Sequence, residues 1–124
     1  MNGKTILYVE DNEFNRKIVR DLLARTSYRL LEATDGESGV SMALRDTPNL
    51  ILMDIQLPKI SGFDATRRLR ADPRTAQIPI IAITSYALSG DDQKALDAGA
   101  SAYLAKPYSP RELLALIRKL APEH

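Results

Sequence analysis

The stretch Leu50-Ile51-Leu52-Met53-Asp54 decides the fold. Four large apolar residues in a row, without polar alternation, read as a strand covered on both faces, as in a parallel sheet sandwiched between helices. The aspartate at its end places a charge where the strand leaves the core. Three further runs have the same form. Ile6-Leu7-Tyr8-Val9 ends in Glu10 and Asp11, Ile80-Ile81-Ala82-Ile83 ends in Thr84, and Ala102-Tyr103-Leu104-Ala105 ends in Lys106 and Pro107. Polar groups at the ends of parallel strands gather along one edge of the sheet, and in open α/β sheets that edge is where ligands bind.

Outward from these runs the chain alternates strand and helix five times. A helix is predicted from about Glu13 to Arg25, with Phe14, Ile18, Leu22, Val19 and Leu23 as its apolar stripe. Arg29 to Ala33 is a shorter, more polar strand suited to a sheet edge. Asp35-Gly36-Glu37 starts a helix that buries Val40, Ala43 and Leu44 and stops before Pro48. After Asp54, Leu57 to Gly62 breaks regular structure, and a helix from Phe63 to Arg70 carries Arg67, Arg68 and Arg70 on a solvated face. The fourth strand is predicted over Ile78 to Thr84, with Pro79 tolerated near its start. Ser89-Gly90-Asp91-Asp92 opens a helix with Ala95 and Leu96 inside, and Gly99 closes it. Ser109-Pro110-Arg111-Glu112 is a capping box with proline at the first helical position, ahead of a stripe of Leu113, Leu116, Ile117 and Leu120. Five βα units without a long linker predict an α/β fold: a doubly wound, five-stranded parallel sheet with five helices, in three layers. Right-handed crossovers put every strand end on one side. Strand order does not follow from this pattern.

The 124 residues make one domain of ordinary size. A formal charge of +1 offers no broad basic field, so no nucleic-acid partner is expected. The absence of cysteine removes disulfides, thiol catalysis and cysteine-ligated zinc. The single histidine, His124, reads as a solvated end. No signal peptide and no run near the roughly 20 apolar residues of a membrane span is present, so a cytoplasmic protein without a membrane partner is expected.

Each strand-end residue alone has an ordinary explanation. Glu10 and Asp11 favour the start of the next helix, Lys106 before proline fits an exposed turn, and the Thr84 hydroxyl can satisfy a backbone group. Asp54 is harder to dismiss, because a carboxylate after four large apolar residues is partly desolvated and needs a partner. Four strands out of five ending this way point to a site. Three carboxylates within about 4–6 Å would repel by a few kcal/mol per pair at an effective dielectric near 20, and one lysine does not offset that. A divalent cation does, and hard oxygen ligands select Mg2+ or Mn2+. Asp11 and Asp54 would bind it directly, Glu10 directly or through water, and the Gln56 backbone carbonyl could complete the set. A carboxylate beside such a cation, a hydroxyl and a lysine is suited to accept a phosphoryl group, with Asp54 as nucleophile. The cation, Lys106 and Thr84 would then anchor the three phosphoryl oxygens. No residue reads as an activated base, so turnover should be slow.

Val9-Glu10-Asp11-Asn12, Met53-Asp54-Ile55-Gln56-Leu57-Pro58-Lys59-Ile60-Ser61-Gly62, Ile83-Thr84-Ser85 and Ala105-Lys106-Pro107 together resemble the receiver domain of two-component response regulators. The resemblance spans essentially the whole chain. It implies a flavodoxin-like sheet of order 2-1-3-4-5 and a phosphorylation switch within a phosphorelay. A histidine kinase or histidine phosphotransfer protein donates to Asp54, Thr84 shifts toward the phosphoryl group, and Tyr103 turns inward. The surface of the fourth helix, fifth strand and fifth helix then changes for a downstream protein target. The resemblance also implies a cis Lys106-Pro107 bond, a small Ser85 that leaves the phosphoryl group accessible, and tuning of its lifetime by Gln56 and Tyr86. Asn15 after Glu10-Asp11-Asn12 is similar both to stand-alone regulators of the DivK kind and to receivers of hybrid kinases. One receiver domain over residues 1–124 with no output domain is expected, since no helix-turn-helix follows Pro122. The competing function is an aspartate-nucleophile phosphohydrolase, but haloacid-dehalogenase-type enzymes carry a second aspartate where this chain has Gln56.

Overall fold

The computed structural model describes residues 3–85 and 90–123. Met1, the lifetime position Tyr86, the helix-opening Ser89 and the terminal His124 lie outside the described residues. The first half of the chain forms β1 (Thr5–Val9), α1 (Glu13–Leu23), β2 (Arg29–Ala33), α2 (Gly36–Asp46) and β3 (Leu50–Asp54). The second half forms α3 (Gly62–Ala71), β4 (Ile80–Thr84), α4 (Asp91–Ala98), β5 (Ala102–Ala105) and α5 (Pro110–Leu120). All neighbouring strands pair in parallel in the order β2-β1-β3-β4-β5, the order implied by the resemblance.

The continuous apolar runs are the central strands. Every residue of β3 and β4 is buried, whereas the polar β2 lies at one edge and β5 at the other. The two-residue period of a strand divides the core. Ile6, Tyr8, Leu50, Leu52, Ile81 and Ile83 face α1 and α5, meeting Val19, Leu23, Leu113 and Ile117. Leu7, Val9, Ile51, Met53 and Ile80 face the opposite side, against Ala43 of α2 and Ala65 and Leu69 of α3. Full burial of each large aliphatic side chain contributes about 1.5–3 kcal/mol, so the three inner strands carry the stability that holds their ends in register.

The helix starts follow local chemistry. Asn12, Asp35 and Ser61 accept the N–H of Asn15, Ser38 and Asp64, and Ser109 with Glu112 forms the capping box predicted for α5. Gly99 closes α4 in the left-handed region at φ 115°.

Three packing expectations change. On α1 the Val19–Leu23 ridge faces the sheet, while Phe14 and Ile18 are 69% and 39% exposed. The neighbouring ridge through residues 14, 18 and 22 is rotated by about 100° from it, and of that ridge Leu22 packs against the core. On α4 only Ala95 and Ala98 are buried and Leu96 turns outward. Arg70 is not solvated like Arg67 and Arg68. Its guanidinium donates to the carbonyls of Ile78 (2.6 Å), Gly99 (2.8 Å), Ala76 (3.1 Å) and Thr75 (3.3 Å), and to Ser101 Oγ (3.3 Å). It fastens the end of α3 to the segments on either side of β4 and α4. The fourth strand also starts two residues later than predicted, at Ile80, although the Pro79 carbonyl still accepts the Ile51 N–H at 3.0 Å.

Candidate functional site

The carboxyl ends of β1, β3, β4 and β5 bring Glu10, Asp54, Thr84 and Lys106 together as the sequence predicts. Asp54 ends the innermost strand and is 3% exposed. Its Oδ2 accepts Lys106 Nζ at 2.8 Å, and its Oδ1 accepts the Gln56 N–H at 2.7 Å. The chain after Asp54 folds tightly back over it, the Gly62 N–H donating to the Ile55 carbonyl at 2.9 Å. Gly62 is required there, because a Cβ would stand 2.2 Å from the Asp54 carbonyl oxygen. The Lys106 N–H donates to the Thr84 carbonyl at 2.7 Å, and the Lys106–Pro107 bond is cis as implied.

Glu10, 1% exposed, is held from several directions. Oε1 accepts the Tyr8 hydroxyl at 3.1 Å, Asn15 Nδ2 at 3.3 Å and Lys106 Nζ at 3.4 Å, while Oε2 accepts the Asn12 N–H at 3.2 Å. Arg16 donates to the Glu10 carbonyl at 2.9 Å. Burial raises the Glu10 carboxyl above the usual range, and the hydrogen bond and charge of Asp54 raise it further against the pull of Lys106. Asp11 is exposed, and residual desolvation followed by its hydrogen bond to Glu10 raises it in turn. Burial works to lower the Lys106 ammonium, but the hydrogen bond and charge of Asp54, with Glu10 behind them, leave it above the ordinary lysine value.

The site is thus rich in anionic oxygen with a single ammonium among it. Among the described residues no three acidic or histidine side chains form a ready metal cage. Lys106, bridging Glu10 and Asp54, supplies the neutralisation in this arrangement. The excess of carboxylates over cations and an all-oxygen donor set fit a hard divalent cation.

Thr84 is buried, and its hydroxyl donates to Asp91 Oδ2 in the first turn of α4 at 3.3 Å. Tyr103 projects from β5 and is 41% exposed. Gln56 and Ser85 are exposed, and Ser85 joins Asn15, Ile18, Lys106, Pro107 and Tyr108 along a groove of about 610 Å3 beside the site. Tyr8, Asn15 and Asp91 are contacts that strand-end reasoning passes over. Tyr8 carries a signal, as a lone phenol in an aliphatic strand whose buried hydroxyl needs a partner. Asp91 carries none, since an acidic residue at a helix start is explained locally.

Relatives share this architecture. The family profile described as response regulator receiver domain matches residues 6–118. The chain is 38% identical over 115 residues to the polar-differentiation response regulator DivK of Brucella anthropi, covering 93% of this chain and 94% of that relative. The receiver domain of the sensor histidine kinase PA1611 from Pseudomonas aeruginosa, solved with a magnesium ion coordinated in its active-site cleft, superposes with a TM-score of 0.89 at 40% identity, covering 95% of this chain and 97% of that one. The chemotaxis response regulator CheY4 of Vibrio cholerae superposes with a TM-score of 0.88 at 25% identity, covering 94% and 98%. A profile match running from the first strand into the last helix, on a sheet of the same order, settles the family: the chain belongs to the response regulator receiver domains, the phosphorylation-dependent signalling switches of two-component systems.

Proposed function

We propose that Asp54 is the phosphoacceptor of this switch. The observation that carries the reading is a nearly fully buried carboxylate at the end of the central strand, held at 2.8 Å by Lys106 beside a second buried carboxylate. An Asp54 oxygen attacks phosphorus, the new O–P bond forms as the P–N bond of a donor phosphohistidine breaks, and the electron pair remains on the departing imidazole. Asp11 and Asp54, with the Gln56 backbone carbonyl and with Glu10 directly or through water, would hold Mg2+ or equally Mn2+. When bound, the ion supplies positive charge against the phosphoryl oxygens.

The chain's own groups do the rest. The Lys106 ammonium turns from the carboxylates to one phosphoryl oxygen. The Thr84 hydroxyl exchanges its bond to Asp91 for another, which loosens the β4 end from the first turn of α4. That exchange, with Tyr103 moving inward, alters the surface of α4, β5 and α5, where a downstream target reads it. Among the described residues none is placed as an activated base toward Asp54, which supports a slow switch over a turnover enzyme. Self-phosphorylation from small phosphodonors and self-dephosphorylation would both be slow. Gln56 stands where a phosphohydrolase of the haloacid-dehalogenase type needs a second aspartate. Histidine kinases or histidine phosphotransfer proteins are the donors, and a cytoplasmic location follows from where such donors are charged.

Incubation with acetyl phosphate and Mg2+, read by intact mass, tests the assignment. Wild type should gain one phosphoryl group, and Asp54→Asn none. Equal labelling of the two proteins refutes Asp54 as acceptor.

A further inference from the structure

Tyr8 is the least expected residue at this site. It interrupts the aliphatic β1, is 0% exposed, and lies in the cluster with Leu52, Ile83, Leu113 and Ile117. Residues two apart on a strand share a face and are separated by about 6.6 Å, close to the length of a tyrosine side chain. The Tyr8 hydroxyl therefore reaches the level of the Glu10 carboxylate from within the core, and donates to Oε1 at 3.1 Å. The other donors to that oxygen, Asn15 at 3.3 Å and Lys106 at 3.4 Å, are partly exposed and come from the surface side. On the other side of the carboxylate, Oε2 accepts the Asn12 N–H at 3.2 Å.

We infer that Tyr8 is a positioning residue of the acceptor site: its hydroxyl pins Glu10 Oε1 to the core, so that Oε2 remains the face Glu10 offers to a divalent cation or its water. The inference rests on the reading of the site as a Mg2+-dependent phosphoacceptor. Its physical basis is rigidity. A carboxylate oriented by a close-packed ring keeps its direction when Lys106 moves away to a phosphoryl oxygen, whereas surface donors alone would let it turn. Partners that orient a metal-binding side chain in this way typically change metal affinity by about 10–100-fold when removed.

Tyr28 provides the control. It is a second buried tyrosine, and its hydroxyl donates to the Ala121 carbonyl at 2.6 Å, away from the strand ends. Wild type, Tyr8→Phe and Tyr28→Phe are titrated with MgCl2 and followed by the amide resonances of Asn12 and Gln56, alongside urea unfolding. Both variants lose a buried hydroxyl bond and some stability. Tyr8→Phe alone should weaken Mg2+ binding, by about tenfold. Its labelling by acetyl phosphate should slow at limiting Mg2+ and recover at saturating Mg2+. A Mg2+ affinity of Tyr8→Phe within twofold of wild type overturns the inference, as does an equal loss in Tyr28→Phe. Failure of wild type to bind Mg2+ overturns the functional reading itself, and this inference with it. Should Tyr8→Phe not fold, the 13Cζ resonance of Tyr8 in wild type decides: a shift that tracks the Gln56 amide through the Mg2+ titration supports the role, and a static resonance refutes it.

Discussion

Removing the Lys106 charge tests how the strand-end cluster is balanced. Lys106→Met keeps most of the aliphatic stem and deletes the ammonium that lies 2.8 Å from Asp54 and 3.4 Å from Glu10, two carboxylates that are 3% and 1% exposed. Unit charges 2.8 Å apart attract with a gross energy of about 6 kcal/mol at an effective dielectric near 20, and desolvation of both partners offsets much of this. Loss of one partner of a buried pair costs about 3–5 kcal/mol. The lysine side chain is 26% exposed, and one carboxylate can escape by taking a proton, so the lower end, about 3 kcal/mol at pH 7, is expected. Asp54→Asn removes the Glu10–Asp54 repulsion together with the attraction to lysine, and should change stability by less than about 1 kcal/mol. The double variant, relieved of the orphaned Asp54 charge, should lose only about 1 kcal/mol. The resulting coupling of about 2 kcal/mol is read from a double-mutant cycle of urea unfolding free energies. Coupling below about 0.5 kcal/mol would show that Lys106 does not balance these carboxylates, and the electrostatic account of the site would fall.

Two further outcomes follow from the same contacts. Arg70→Met strips four backbone carbonyls and Ser101 of a guanidinium donor, and should cost about 2–3 kcal/mol in urea unfolding. Arg70→Lys should recover less than half of this, because an ammonium cannot span acceptors in a planar fork, and acetyl phosphate labelling should be unchanged in both. Glu123 is held at about 2, below its ordinary 4.5, by the Ser27 N–H and hydroxyl and then by Arg118. A carboxyl depressed on folding adds stability that is present above the unfolded value and is lost as pH falls through the folded one. Glu123→Gln should therefore flatten the acid side of the stability curve between about 4.5 and about 2, measured by thermal melts across that window.

The parts legible in the chain are those governed by short-range rules. Apolar runs, capping residues and the proline-led start of α5 are local, and each marked its element to within a few residues. The positions of Glu10, Asp54, Thr84 and Lys106 were legible for a topological reason. Parallel strands joined by right-handed crossovers have all their carboxyl ends on one side, so residues that end strands meet wherever the strands lie. Which strands are neighbours is a matter of long-range pairing, and here only the likeness to a known family supplied the order.

What escaped the linear pattern depends on which neighbour arrives in space. Phe14, Ile18 and Val19 are all apolar in the chain, yet the rotation of α1 about its axis buries Val19 against the sheet and leaves Phe14 and Ile18 exposed. Arg70 follows Arg67 and Arg68 at helical spacing, but only Arg70 meets free carbonyls from the segments beside β4 and from the turn at Gly99. The sequence by itself determined the alternation of elements, the layered fold class and the chemical inventory at the strand ends, because periodicity and strand polarity are properties of the covalent chain. The tertiary structure alone decided that Tyr8 reaches Glu10, that Asp91 holds Thr84 and that Lys106 spans two carboxylates, since a hydrogen bond depends on ångström-scale approach between groups that the chain order does not place side by side.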